Sequence, residues 1–462
     1  MSRLLISAAH KSSGKTTVTL GLCAALAARG LTVQPFKKGP DYIDPMWLGL
    51  AAGRPCHNLD FHCMSHAEIL STVGHYSTAS DIALIEGNKG LYDGLDLDGS
   101  NSNAALAILT RTPVILVLDA RGMTRGIAPL ILGYQAFDRD IHIAGVILNQ
   151  LGGSRHEAKL RAVIEHYTDI PVLGSVHHNP SLEIVERHLG LIPSNEDNAA
   201  RDKIGQISAL ISTQVDLDRL LSIAASAPQF EYPAIELPQC TETGKVRIGI
   251  ARDAAFGFYY PDDLDALQRA GAELVPFNTL QDKVLPNIDG LFIGGGFPES
   301  CMQALQDNRE LRSAIRIAIE QGLPTYAECG GLMYLSRSLT WQGKTCAMAG
   351  VIHGDIVMHE KPQGRGYVQL RETTQAPWPG PRPAATIAAH EFHYSSLTGL
   401  EGPHAYAYQV LRGTGIDGVH DGLLLYNLLA CYSHMRDSAQ HHWARRFVQF
   451  VRDCNRQPAS GH

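Results

Sequence analysis

The stretch Ala8-Ala9-His10-Lys11-Ser12-Ser13-Gly14-Lys15-Thr16-Thr17 separates a short apolar run, Leu4 to Ala8, from a helical pattern that continues to Arg29. Strand, glycine-containing loop and helix in that order match the phosphate loop G-x-x-x-x-G-K-[ST], with Ala9 at the first glycine. That change removes some backbone freedom but no side-chain contact to phosphate. Backbone N–H groups of Ser12, Ser13 and Gly14, and those opening the helix at Thr17, can face phosphate oxygens. Lys15 can reach the terminal phosphates and Thr16 can ligate magnesium. ATP and Mg2+ are the expected ligands.

Outward from this loop, short apolar runs recur at Thr32 to Phe36, Asp81 to Ile85, Pro113 to Leu118, Ile143 to Leu148 and Pro171 to Leu173. Helical stretches lie between them, among them Ile127 to Phe137 and His156 to His166. Runs that are apolar throughout indicate strands covered on both faces, so the alternation predicts a mainly parallel sheet flanked by helices. From Ser226 to Lys245 the period dissolves into a proline-containing segment, which reads as a linker. A second alternation follows, with strands at Val246 to Ala251, Glu273 to Phe277, Gly290 to Ile293 and Pro324 to Ala327, and helices at Asp262 to Arg269 and Leu311 to Gln321. The sequence therefore predicts an α/β fold of two tandem domains, 1–225 and 246–462, joined by 226–245.

Two acidic segments complete the first site. Asp81-Ile-Ala-Leu-Ile-Glu86 is an apolar strand ending in a carboxylate, as expected at the C-terminal edge of a parallel sheet beside a phosphate loop. Pro35-Phe36-Lys37-Lys38-Gly39-Pro40-Asp41-Tyr42-Ile43-Asp44-Pro45 packs two lysines and two aspartates just after the second strand. Glu86 and Asp41 join Thr16 as metal candidates, and Lys37 and Lys38 can hold phosphate or an anionic substrate; a solvated charged turn is the plainer reading of the lysines. In the glycine-rich loop Gly87 to Gly94, Asp93 can orient a substrate and Lys89 adds a cation. Asn149, ending its strand, can read adenine, though a turn-forming Asn would look the same.

The second chemical signal is Gly322-Leu-Pro-Thr-Tyr-Ala-Glu328-Cys329-Gly330-Gly331-Leu332, which reads as strand, tight turn and helix with a thiol at the turn. Flanking glycines permit a strained backbone, and a helix N-terminus favours the thiolate, as in a nucleophile elbow. Such a thiol needs a base and an oxyanion hole. His434 follows the apolar run Leu423 to Cys431 and is the expected base, with His390 and His393 as rivals. Backbone N–H groups of Gly295, Gly296 and Gly330 are the expected oxyanion donors. The pairs His177-His178 and His441-His442 read as surface or core residues rather than metal ligands.

Length and charge bound the partners. At roughly 150 residues per domain, 462 residues hold two or three. A net charge of -7 leaves no basic surplus for a phosphate backbone, so nucleic acid is not expected. Nine scattered cysteines without a Cys-x-x-Cys pair predict a reducing compartment. The longest apolar runs fall well short of the roughly 20 residues that span a bilayer. With a strand starting at Arg3 in place of a charged leader, a cytoplasmic protein without a membrane partner is expected.

As a set, these motifs resemble a known family. Gly294-Gly-Gly-Phe-Pro-Glu299, Glu328-Cys329-Gly-Gly-Leu-Met-Tyr334 and Ser433-His434 look like a class I, triad-type glutamine amidotransferase domain. The first half resembles a dethiobiotin synthetase-like P-loop domain. Lys37-Lys-Gly-Pro-Asp-Tyr-Ile-Asp-Pro45, Asn58-Leu-Asp60, Glu86-Gly-x-x-Gly-Leu-Tyr-Asp-Gly94, Glu186-Arg-His-Leu-Gly-Leu191 and Asp253-Ala-Ala-Phe-Gly-Phe-Tyr-Tyr-Pro261 are together similar to the cobyrinic acid a,c-diamide synthase family. The resemblance implies a glutamine- and ATP-dependent ligase that amidates acetate carboxylates of a modified tetrapyrrole, with L-glutamine as nitrogen donor, ammonia passing between domains, and a homodimer among its possible assemblies. Arg436 stands two residues after His434, where most triad-type members place Glu, so a Cys/His dyad is expected. Asn88-Lys89 and Asn58-Leu-Asp-Phe-His62 depart from the family's usual pattern and look more like siroheme amidase, which leaves the macrocycle open. A P-loop partitioning or switch ATPase would share only the first motif, and Lys11 is not at the loop position of that group's signature lysine.

Overall fold

The computed structural model describes residues 1–179, 186–187, 190–191, 193–195, 199–234, 244–380 and 386–456. It divides into two units, Met1–Ile235 and Glu236–His462.

The first unit is built on seven parallel strands: β1 (Arg3–Ala8), β2 (Val33–Lys38), β3 (His57–Leu59), β4 (Ile82–Glu86), β5 (Val114–Asp119), β6 (Ile143–Leu151) and β7 (Val172–His177), in the order β3-β2-β4-β1-β5-β6-β7. Residues of β1 and β4 are all buried, which is why their runs lack polar alternation. Helices α1 (Lys15–Ala28), α2 (Ile43–Ala52), α3 (His66–Ser77), α4 (Asn103–Leu109), α5 (Ile127–Phe137), α6 (Ser154–Tyr167), α7 (Ala200–Gln214) and α8 (Leu217–Ala225) complete it. A short antiparallel pair, β8 (Glu186–Arg187) with β9 (Gly190–Leu191), falls in the quoted Glu186-to-Leu191 motif, whose side chains lie outside the described residues.

Two local differences from the sequence reading matter. Strand β2 runs on through Lys37 and Lys38, so both lysines sit at a buried strand end and not in a solvated turn. Part of the expected linker is packed on the first unit: the Arg3 guanidinium donates to the Pro228 carbonyl and lies 4.6 Å from the Phe230 ring, and Ser71 Oγ donates to the Pro233 carbonyl. Residues 235–243 of that segment lie outside the described residues.

In the second unit, β10 (Val246–Ala251), β11 (Ala272–Phe277), β12 (Gly290–Ile293) and β13 (Thr325–Glu328) are parallel, as expected. Strands β14 (Ser336–Trp341), β15 (Lys344–Ala347), β16 (Ile352–Met358) and β19 (Ser395–Thr398) form a separate four-stranded sheet. The main sheet is extended by β17 (Gly364–Glu372), β18 (Ile387–His393), β20 (Ala405–Arg412), β21 (His420–Leu425) and β22 (Leu428–Cys431), giving the order β11-β10-β12-β13-β22-β21-β20-β17-β18. Helices α9 (Pro261–Arg269), α10 (Met302–Asp307), α11 (Arg309–Glu320), α12 (Gly330–Leu335) and α13 (Trp443–Arg456) accompany them.

Alternate side chains of the central strands feed two separate cores. Leu291, Ile293, Ala327 and Ala430 join one, while Phe292, Tyr326, Leu429 and Cys431 join another with Trp378, Trp443 and Phe447. Helix α13 is fixed to β17 by the buried Arg446, which forms a two-pronged pair with Glu372 at 2.7 Å on each side and also donates to the Trp378 and Pro379 carbonyls. Glu372→Ala would strand that guanidinium away from water. The variant is expected to lose about 3 to 5 kcal/mol of unfolding free energy in a urea titration followed by circular dichroism.

Candidate active sites

In the first unit the loop between β1 and α1 closes over the strand ends. Gly14 caps α1 with φ +86°, and a Cβ there would lie 2.1 Å from Asn149 Nδ2, so glycine is required. Asn149 Nδ2 donates to the Ser13 carbonyl at 2.9 Å. The sequence reading set Asn149 against adenine; the structure places its amide nitrogen under the phosphate loop as a brace.

The end of β4 gathers the charged side chains of this unit's candidate site. Thr16 Oγ1 donates to Glu86 Oε1 at 2.7 Å and reaches Asp44 Oδ2 at 3.3 Å, while Lys37 Nζ donates to both Asp44 and, at 2.9 Å, Glu86. Asp44 was not singled out from the sequence as a ligand. It enters because α2 starts at Ile43 and turns that side chain inward. Asp41, expected as a metal ligand, holds this helix start through one oxygen: its Oδ1 accepts the Ile43 and Asp44 N–H groups at 2.9 and 3.1 Å, and its Oδ2 stands 3.8 Å from Lys37.

Burial sets the charges here. It raises the carboxyls of Glu86 and Asp41, the latter to about 7, with Asp44 adding to the effect and Lys37 opposing it. Burial alone would lower Lys37, but Asp44, Glu86 and Asp41 outweigh it and hold the ammonium well above its ordinary value. Lys15 and Lys38 lack so close a set of carboxylates, and burial brings each down to about 8.

Glu86 Oε2 is buried without a hydrogen-bond partner, while Oε1 accepts from Thr16. That free oxygen fits a magnesium ion, which takes few protein oxygens and completes its shell with water and phosphate. Among the described residues no group of three or more His, Cys, Asp or Glu is placed to hold a metal ion by itself.

The adjoining loop is held by a residue the sequence did not disclose. Asn103 Nδ2 donates to Ser7 Oγ and to the carbonyls of Asn88 and Gly90, and its Oδ1 accepts the Asn88 N–H. Lys38 Nζ donates to Asn88 Oδ1 at 3.1 Å, and Asp93 Oδ2 folds back to accept the Gly90 N–H at 2.8 Å. Lys89 sits at φ +45° with its side chain exposed.

In the second unit Cys329 occupies the turn between β13 and α12 at φ 46°, ψ -99°, a strained conformation for a non-glycine residue. It is 6 % exposed. His434 lies beside the side chains of Cys329 and Glu328, with Nδ1 3.5 Å from Glu328 Oε2, an ion-pair distance. Burial alone would lower the imidazole, but these two partners outweigh it and hold it up at about 10. Glu328 Oε1 accepts from Tyr326 Oη at 2.5 Å and from the Met435 N–H at 2.9 Å.

The expected rivals take supporting places. The His390 ring stacks on His434 with centroids 4.9 Å apart, and the two residues exchange backbone hydrogen bonds. His393 lies flat on Tyr432 and bonds to the Ser395 carbonyl through Nδ1. Arg436, at the place of the usual triad Glu, pairs with Asp262 and lies over the Tyr260 ring. Gly295 abuts the His434 ring, since a Cβ there would come within 2.6 Å of His434 Cε1, and Gly330 lies beside the Gly296 nitrogen. The three expected oxyanion donors are thus gathered around Cys329 and His434.

These geometries define a two-unit protein with a P-loop nucleotide-binding domain and a glutamine amidotransferase domain. Residues 5–192 match the model of the CobQ/CobB/MinD/ParA nucleotide binding domain, and residues 247–440 that of the CobB/CobQ-like glutamine amidotransferase domain. The cobyrinate a,c-diamide synthase of Magnetococcus marinus is 47% identical over 98% of this chain and 97% of its own. Those of Methanosarcina acetivorans and Archaeoglobus fulgidus are 41% and 40% identical, each over 97% of this chain and over 95% and 97% of their own. The chain belongs to the cobyrinate a,c-diamide synthase family. Among the described residues no helix is long and apolar enough to cross a membrane.

Removing the cation from the Asp44–Glu86 pair tests the first site. Lys37→Met leaves the buried Glu86 carboxylate beside the partly exposed Asp44 without their shared cation and is expected to lower the unfolding free energy by about 3 kcal/mol in urea.

Proposed function

We propose that this protein is a magnesium-dependent ligase that converts the a and c acetate carboxylates of cobyrinate to amides, using ATP and ammonia drawn from glutamine. The observation that carries the reading is one chain holding both a phosphate loop backed by Glu86 and a thiol elbow backed by His434, with full-length likeness to relatives that bear this name.

The Cys329 thiolate attacks the carboxamide carbon of glutamine. Backbone N–H groups of Gly295, Gly296 and Gly330 take up the developing negative charge. The His434 imidazolium gives its proton to the departing ammonia, and the same imidazole then draws a proton from the water that hydrolyses the thioester. In the first unit Lys15 and the loop N–H groups hold the triphosphate, while Thr16, Glu86 and Asp44 are the oxygens that would hold Mg2+. When bound, that ion would draw charge from the phosphate oxygens. A substrate carboxylate held by Lys38 and Lys89 attacks the γ-phosphorus with loss of ADP, and ammonia displaces phosphate from the acyl phosphate. Asp93, which accepts the Gly90 N–H, would help hold the loop that carries Lys89 in place for the substrate.

The test offers cobyrinate or siroheme with ATP, Mg2+ and glutamine, and counts amide groups by mass spectrometry. Two amides on cobyrinate are expected; amidation confined to siroheme would transfer the reading to that macrocycle. Cys329→Ala is expected to abolish glutamine-dependent turnover while ammonium salts still support it. Lys15→Ala is expected to lose at least about 100-fold in rate with either nitrogen source, as removal of a charge-stabilising donor does.

A further inference from the structure

We propose that Glu328 is the positioning carboxylate for His434, supplying from the residue before the nucleophile the role that Arg436 vacates. This deepens the glutaminase reading above and rests on it.

Glu328 is the last residue of β13, pairs across the sheet with Cys431, and is 3 % exposed. Its Oε1 is held from two sides by the Tyr326 hydroxyl and the Met435 N–H, so the carboxylate cannot swing away. Its Oε2 then stands 3.5 Å from His434 Nδ1, within ion-pair distance and short of hydrogen-bond geometry. Since Met435 follows His434, the same carboxylate grips the segment that carries the base. The His390 ring, stacked against the imidazole with centroids 4.9 Å apart, fixes its plane.

The other charged groups nearby are committed elsewhere. Asp262 pairs with Arg436, Asp263 accepts the Asp437 N–H, and Asp421 accepts the N–H groups of Gly422, Tyr432 and Ser433. Glu391 accepts the Thr414 and Gly415 N–H groups beside His393. Tyr260 Oη meets His390 Nδ1 at 3.3 Å. With Nδ1 turned to Glu328, Nε2 is left for the thiol, and the carboxylate favours the imidazolium that accompanies a thiolate. In glutamine cleavage the Cys329 S–C bond forms, the C–N bond breaks, and the imidazolium proton leaves with ammonia.

Glu328→Gln keeps an oxygen for Tyr326 and Met435 but sets an amide N–H against Nδ1, which reverses the imidazole tautomer. The expected result is a fall of about 10²- to 10⁴-fold in kcat for glutamine hydrolysis with little change in KM. The midpoint of the pH profile for alkylation of Cys329 by iodoacetamide, read on the Cys329 peptide by mass spectrometry, should rise by about one unit or more. A folded Glu328→Gln protein whose kcat and alkylation midpoint match the wild type overturns the proposal. A second readout needs no variant: in the 15N spectrum of the wild-type chain, His434 Nδ1 should stay protonated from about pH 6 to 8. An unprotonated Nδ1 there overturns the proposal as well. A wild-type chain that releases no ammonia from glutamine would sink the parent reading instead, while the alkylation and 15N results still decide the part played by Glu328.

Discussion

Each unit is organised by one buried carboxylate at the C-terminal end of a central parallel strand, held against one cation. In the first unit Glu86 ends β4 and meets Lys37; in the second Glu328 ends β13 and meets His434. A carboxylate removed from water must be paired or protonated, so each strand end can be dry only if the neighbouring element delivers a partner. That requirement fixes where β2 must end, since Lys37 lies in register beside Glu86, and where the segment after β22 must pass, since His434 has to reach Glu328. The phosphate loop and the thiol elbow are then placed against a charge already in position.

The cations differ in kind, and the difference suits the two tasks. Lys37 is enclosed by three carboxylates and keeps its proton, so it can only balance charge. His434 can release one. An imidazole between a thiol and a carboxylate is able to pass a proton to a leaving group and recover it from water, which an ammonium so enclosed could not do.

Both chemical loops were legible because each is a short local pattern: an apolar strand, a glycine-bearing turn and a helix start. The parallel parts of both sheets were legible for a related reason, since strands buried on both faces read as unbroken apolar runs. The strands from Ser336 to Leu425 were not, because exposed and buried positions are interleaved irregularly along them, as in β17 and β20. The supporting residues of the sites escaped for another cause. Asp44, Asn103 and His390 act through neighbours brought up by helix starts and strand pairing, and a linear pattern carries no direction for a side chain. Glu328 stood in the quoted elbow itself, yet only the fold reveals that its side chain turns toward the segment a hundred residues onward.

The hydroxyl that grips Glu328 belongs to Tyr326, whose ring lies within the packed aromatic group of Phe292, Trp378, Trp443 and Phe447. The innermost packing of the second unit is therefore continuous with the atoms that steer the base. A change that loosens the packing of these five rings would also loosen the Tyr326 hydroxyl's hold on Glu328.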